Sequence, residues 1–236
     1  MPVQSPDPFL KLSEHVDPHK NPYVARLLEF QENKDLPVLH GSNLKPWVGH
    51  WRDIFPEYFP ESPPPARLCI EIGCHYGRTL SEVAADHPDV GFIGIDITFK
   101  RVIKAAERAK RLGLRNVVTI LSNAQGIDQL FAPGEIDGVI TFFPDPWLKK
   151  RKAKNRLLDG SFGTAVHQCI SAGGFFWLKT DQESYFNEAC SHLEGAGMRP
   201  ADTLEILGTK DYSSSFEQLF KSRGQPTFEQ RLVVVK

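Results

Sequence analysis

From residue 68 onward, short apolar runs of strand length alternate with amphipathic stretches of helix length, and no other feature constrains the fold as strongly. Residues 68–72 and 91–95 are rich in β-branched side chains, and between them 78–87 reads as a helix stopped by Pro88. Phe99, Val102, Ile103, Ala106 and Ala109 then repeat at helical spacing ahead of Gly113. Residues 116–121, 136–142 and 175–180 are the next strands, with helices expected over 160–171 and 182–194. Strands that alternate with helices build a parallel sheet whose two faces are both covered. The pattern therefore predicts an α/β, doubly wound fold with a mostly parallel sheet of about seven strands and helices on both faces.

Residues 1–65 lack this alternation and are rich in proline and aromatic residues, so they are expected to form an N-terminal extension packing on a main domain of 66–236. Over 21–30 a helix is expected, with Asn21 as its cap and Pro22 at its first position. Trp47, Trp51, Phe55 and Phe59 recur at helix-compatible spacing, and Pro63, Pro64 and Pro65 make a stiff connector.

Composition narrows the classes of function. The 28 Lys and Arg nearly balance the 29 Asp and Glu, so a nucleic-acid partner would have to meet a local basic patch. Cys69, Cys74, Cys169 and Cys190 form no CxxC pair, so neither a disulfide framework nor a metal site is expected. No run approaches the roughly 18 apolar residues that span a bilayer. Residues 1–12 lack the basic-then-apolar order of a signal peptide. A cytoplasmic protein with no membrane partner is the expectation.

Sheets of this kind bind ligands in the crevice beyond the carboxyl ends of their strands, which singles out the loops after residues 72, 95, 121, 143 and 180. The first strand ends in Glu71-Ile72-Gly73-Cys74-His75-Tyr76-Gly77. Glycines there let backbone approach a ligand at a helix N-terminus, although an ordinary tight turn explains them equally. The second strand ends at Asp96, about 20 residues beyond that turn, where a carboxylate can accept from both ribose hydroxyls. Asp96 is also placed to cap the following helix, and the agreement of two loops favours the nucleoside role. Asn123 follows the third strand as either an acceptor for a base amino group or a turn residue.

The most specific stretch is FFPDPWLKKR (142–151), in which two prolines fix the directions of Asp145 and Trp147. Six of the eight residues over 149–156 are basic. Such runs are usually solvated surface, but this one adjoins the expected cleft in a nearly neutral chain, which favours phosphate contact.

The turn at 71–77 is similar to the ExGxGxG turn of class I, Rossmann-like methyltransferases, with His75 at the middle glycine. FFPDPWLKKR resembles the FxDPWPKKRHxKRR signature of the bacterial tRNA (guanine-N7)-methyltransferase family. Colinear similarities at IEIG (70–73), FIGID (92–96), LKTD (178–181) and SSFEQLFKSRGQP (214–226) extend it over most of the chain. The resemblance implies transfer of a methyl group from S-adenosylmethionine, with S-adenosylhomocysteine as product, to N7 of a guanosine in the variable loop of tRNA. It implies cofactor contacts at Glu71, Gly73, Gly77, Asp96, Asn123 and Asp145, with Asp145 also catalytic. Substrate contacts are implied at Lys149, at Arg151, Lys152, Lys154 and Arg156 in the basic run, at Asp181, and at Ser214 and Glu217. The enzyme is expected to be a monomer or homodimer with tRNA as its partner.

Ser214 and Glu217 also fit a capping box opening a helix that Gly224 and Pro226 close, and 180–183 fits a second box. His75, Asn123, Leu148, Lys152, Asn155, Ser214 and Ser215 depart from the family pattern. Two other readings stand beside the main one: methylation of another nucleic-acid nitrogen, and a non-catalytic RNA- or partner-binding protein on the same fold.

Overall fold

The computed structural model describes residues 8–9, 17, 19–34, 36–147 and 156–236. The basic run up to 155 and most of residues 1–12 lie outside these. The most apolar segments form the middle of one sheet: β2 (Arg67–Ile72), β3 (Val90–Asp96), β4 (Val117–Leu121) and β5 (Ile136–Phe142) are buried along nearly their whole lengths. Strands covered on both faces need such continuous runs. With β1 (Val38–His40), β6 (Ile170–Thr180), β7 (Met198–Pro200) and β8 (Phe228–Val234), the order is β1-β4-β3-β2-β5-β6-β8-β7. Pairing is parallel from β1 to β6, and β8 runs antiparallel to both β6 and β7. The order reverses between β2 and β5, so the crevice opens at their carboxyl ends.

Alternation along each strand divides the core in two. Leu68, Ile70 and Ile72 of β2 join Phe176 and Leu178 of β6 in one cluster, under α6 (Gly160–Cys169) and α7 (Glu183–Gly195). Cys69, Phe175 and Trp177 join the opposite cluster, under α3 (Arg78–Asp86) and α4 (Phe99–Arg111). The sheet therefore has the doubly wound, mostly parallel form that the alternation predicts, with eight strands rather than about seven.

The strands that sequence periodicity does not place lie toward the two ends of the sheet: β1 at one, β8 and β7 at the other. β1 and β7 have three residues each, too few to carry a period. β8 mixes Glu229 and Arg231 among its apolar residues. β1 lies in the N-terminal segment and pairs with β4, Val38 opposite Thr119. Ahead of it, α1 (Pro22–Asn33) begins at Asn21, whose side chain accepts from Tyr23 N at 3.0 Å. Trp51 and Phe55 are fully buried in the first core cluster, and Trp51 Nε1 donates to Leu130 O. The aromatic spacing over 47–59 is not one helix. Two 3-10 turns, Gly41–Trp47 and Trp51–Asp53, lead into the short α2 (Ile54–Tyr58), with Gly49 at φ 85° between the turns. A short α5 (Ile127–Leu130) follows β4, and α8 (Ser215–Ser222) precedes β8. Among the described residues no helix is long and apolar enough to cross a membrane.

Candidate active site

The first wall of the crevice is built from the turns after β2, β3 and β4. Gly73 N and Cys74 N both donate to Ile95 O, at 2.8 and 3.1 Å, so the turn after β2 is fastened to the end of β3. Gly73 has φ 78°, and a Cβ there would meet nothing within 4 Å, which leaves bare backbone facing open space. Gly77 has φ 68° and starts α3, where a Cβ would come within 2.8 Å of Ala105 Cβ. One glycine therefore admits a ligand and the other admits a neighbouring helix. Asp96 joins the loops: its Oδ2 accepts from His75 N at 3.2 Å, its Oδ1 from Thr98 N at 2.9 Å, and Arg101 lies 3.6 Å away. Asn123 Oδ1 accepts from Gln125 N at 3.0 Å, so the turn role weighed for it is present.

The second wall begins at the end of β5. Phe143 N donates to Lys179 O at 2.7 Å, and the chain then runs through Pro144, Asp145 and Pro146 to Trp147. Four non-glycine residues among those described have positive φ, and three of them, His75, Phe143 and Trp147, line the same cleft. Backbone in this sparsely populated region persists only where its surroundings over-determine it, and it concentrates at ligand sites. Two prolines and the bond to Lys179 supply that determination around Asp145, which is exposed at the cleft.

Between the walls is a cleft of about 420 Å³, within the range of small-molecule sites. Of the expected residues, Gly73, Asp96, Asn123 and Asp145 line it together. Glu71 lies behind it, buried, with Oε2 lacking a hydrogen-bond partner among the described residues. Burial pushes its carboxyl well above the ordinary glutamate value, and the charges of Asp96 and Glu82 add to this against the Leu80 N–H, which lowers it. Asp181, Ser214 and Glu217 are not on the cleft wall. Asp181 accepts from the neighbouring Gln182 amide. Ser214 caps α8 through Glu217 N at 3.1 Å, so half of the expected capping box forms. The box over 180–183 does not: Gln182 precedes α7 without a side-chain cap bond.

Glu217 has turned its carboxylate inward instead, to Lys179 Nζ at 3.2 Å and to Lys221 Nζ. Arg156 is also engaged within the fold, donating to Pro146 O at 2.9 Å, pairing with Glu188 and lying over the Tyr185 ring. Lys149, Arg151, Lys152 and Lys154 lie outside the described residues.

Lys179 is the residue that sequence reasoning passes over. It is 1% exposed and faces Glu217, Asp211 and Glu229, with Tyr212 O at 3.0 Å. A lysine within the apolar run GGFFWLKT (173–180) is itself the signal, because a buried ammonium needs paired carboxylates. Its carbonyl holds Phe143 and its ammonium holds α8, so it links the Asp145 turn to the helix that brings Phe216 to the cleft.

Comparison with known proteins adds to this geometry. The family model described as "Putative methyltransferase" matches residues 65–230. A protein of Brevibacillus brevis named tRNA (guanine-N(7)-)-methyltransferase is 30% identical over 85% of this chain and 90% of its own length. One of the same name from Geobacillus kaustophilus is 32% identical over 75% and 80%. Among solved structures, a 16S rRNA (adenine(1408)-N(1))-methyltransferase from Catenulisporales acidiphilia, with cosubstrate SAM, shares the fold. It covers 78% of this chain and 92% of its own at TM-score 0.52 and 18% identity.

Proposed function

The chain belongs to the tRNA (guanine-N7)-methyltransferase family, and on that premise we propose that its cleft binds S-adenosylmethionine beside Gly73 and Asp96 and delivers the methyl group to N7 of a guanosine in tRNA. The observation that carries this reading is the meeting of Gly73, Asp96, Asn123 and Asp145 on one cleft. The residues fit the donor chemically. Asp96 is an acceptor with about four lone-pair sites, of which two backbone N–H groups use two, leaving capacity for a ribose diol. Ile72, Ile95, Ile97 and Phe142 supply apolar walls for the nucleoside, and the open backbone at Gly73 permits close approach. Asn123 Oδ1 accepts from Gln125 N and its NH₂ donates to Gln125 Oε1 at 3.5 Å, which leaves the second lone pair of the oxygen for the base amino group.

S-adenosylmethionine, when bound, supplies a methyl group activated by its sulfonium. Guanine N7 has an in-plane lone pair and carries no proton, so the chain need not provide a general base. Its task is alignment and charge. Asp145, held between two prolines, accepts from the guanine N1–H and amino group and offsets the positive charge that the base acquires. Trp147, on the same wall, shields the base from water. The basic run holds the RNA backbone nearby, a role that gives orientation and salt dependence without sequence information.

The test is transfer of radiolabelled methyl to bulk tRNA, with the modified nucleoside identified by mass spectrometry. Wild-type protein is expected to produce 7-methylguanosine. Asp145→Ala should lower turnover by about 10²–10³-fold at unchanged thermal stability, because Asp145 is exposed. Methylation of another nitrogen would replace the N7 reading. Binding of tRNA without any transfer would favour the non-catalytic one.

A further inference from the structure

Exposed apolar side chains gather at one edge of the cleft. Of the seven large hydrophobic residues open to solvent among those described, four, Tyr76, Ile97, Phe216 and Leu219, belong to this rim. Ile97 and Phe216 line the cleft, and Leu219 lies one turn along α8 from Phe216. Three rings are in contact: His75 is 4.1 Å from Tyr76 and 5.5 Å from Phe216, centroid to centroid. Core packing does not account for them, since Tyr76 and Phe216 are each 42% exposed. His75 has φ 49°, a conformation that glycine adopts without penalty and a side chain does not. Burial and the charge of Arg101 hold its imidazole below the ordinary value against the pull of Asp96, so the ring is neutral at pH 7. Arg78 fixes the spacing, donating to Gln218 of α8 at 2.8 Å and to Glu82 at 3.1 Å.

We propose that His75, Tyr76 and Phe216 form a stacking platform for an unpaired nucleobase of the RNA, one that flanks the guanosine entering the cleft. The proposal rests on the reading of RNA as substrate. A guanosine drawn out of its stack leaves its neighbours with uncovered faces at the mouth of the site. Exposed aromatic rings there offer a replacement surface that every base can use. Two of its three rings, His75 and Tyr76, sit inside the turn that the first wall uses for backbone approach.

The experiment uses Tyr76→Ala, Phe216→Ala and Tyr76→Phe in the full-length protein, with a tRNA transcript and S-adenosylhomocysteine as probes. Each alanine variant should weaken tRNA binding about tenfold, while Tyr76→Phe stays near wild type and, in Tyr76→Ala, whose ring is not on the cleft wall, affinity for S-adenosylhomocysteine is unchanged. The slope of log affinity against log salt should also be unchanged, because no phosphate contact is lost. A transcript made abasic at the nucleotides flanking the methylated guanosine should bind wild type about tenfold more weakly and the alanine variants no more weakly than their intact counterpart. Wild-type tRNA affinity in both alanine variants would overturn the proposal, as would a loss confined to S-adenosylhomocysteine or one fully additive with the abasic change. If wild-type protein methylates no tRNA, the substrate reading fails and takes the platform with it. If it does methylate tRNA and the alanine variants bind equally well, the platform alone falls.

Discussion

On one wall of the cleft, the turn between β2 and α3 is held by backbone hydrogen bonds to Ile95 and by two glycines, with Asp96 accepting N–H groups from both adjoining loops. On the other, α8 is held over the cleft by charge: Lys179 faces three carboxylates, and Lys221 takes the second oxygen of Glu217. The first wall is assembled from contacts local to the switch point of the sheet. The second joins β6, β8 and α8, which are brought together only when the tertiary fold closes. A small rigid ligand suits the first kind of wall, and a large one that must be admitted and released suits the second. The contrast predicts that the two walls fail separately.

The largest effect should come from Lys179→Met. Removing the ammonium leaves Glu217, 2% exposed, with Lys221 as its one cationic partner among the described residues. Breaking a buried pair from one side costs about 3–5 kcal/mol, to be measured by urea denaturation. In whatever fraction stays folded, calorimetry with S-adenosylhomocysteine should return near-wild-type affinity while tRNA turnover is lost. Equal loss of both would mean that the walls are one unit.

Gly77→Ala attacks the first wall and should cost about 2 kcal/mol. The added methyl combines a positive φ with a 2.8 Å approach to Ala105 Cβ, and Ala105 Cα stands behind it at 2.9 Å. Thermal denaturation measures the cost. Affinity for S-adenosylhomocysteine should fall with stability here, the reverse of the outcome at Lys179.

The same division governs what the amino-acid sequence makes legible. The first wall can be read almost residue by residue, because a strand, a glycine turn, a helix and an acid at the next strand end are adjacent or regularly spaced along the chain. Asp145 and Trp147 are legible for a different reason, since two prolines mark a turn that needs stiffness. The partners of Lys179 are not, because its nearest carboxylate partner in sequence is 32 residues away at Asp211. Nor can periodicity tell that Glu217 turns inward while Phe216, its neighbour, faces the cleft. Glu71 shows the limit from the other side: its position in the turn motif is plain, yet its side chain is buried against the Leu80 N–H of α3 rather than on the cleft wall.

That placement of Glu71 gives the smallest predicted effect and the finest test of the comparison. In the fold its carboxyl keeps a proton at pH values where the unfolded chain has lost it, because burial raises it above the ordinary 4.5. Stability from this group is therefore full below about pH 4.5 and declines as pH rises from there toward the folded value. Glu71→Gln preserves the shape and an acceptor for the Leu80 N–H but cannot ionise. It should flatten that decline and leave the variant more stable than wild type at pH 8, read from urea midpoints across pH 5 to 8. If the side chain is a support behind the wall, affinity for S-adenosylhomocysteine will be unchanged. If it reaches the donor, as the family resemblance implies, affinity will fall even though stability rises, and the first wall must then move to bring that carboxyl into the cleft.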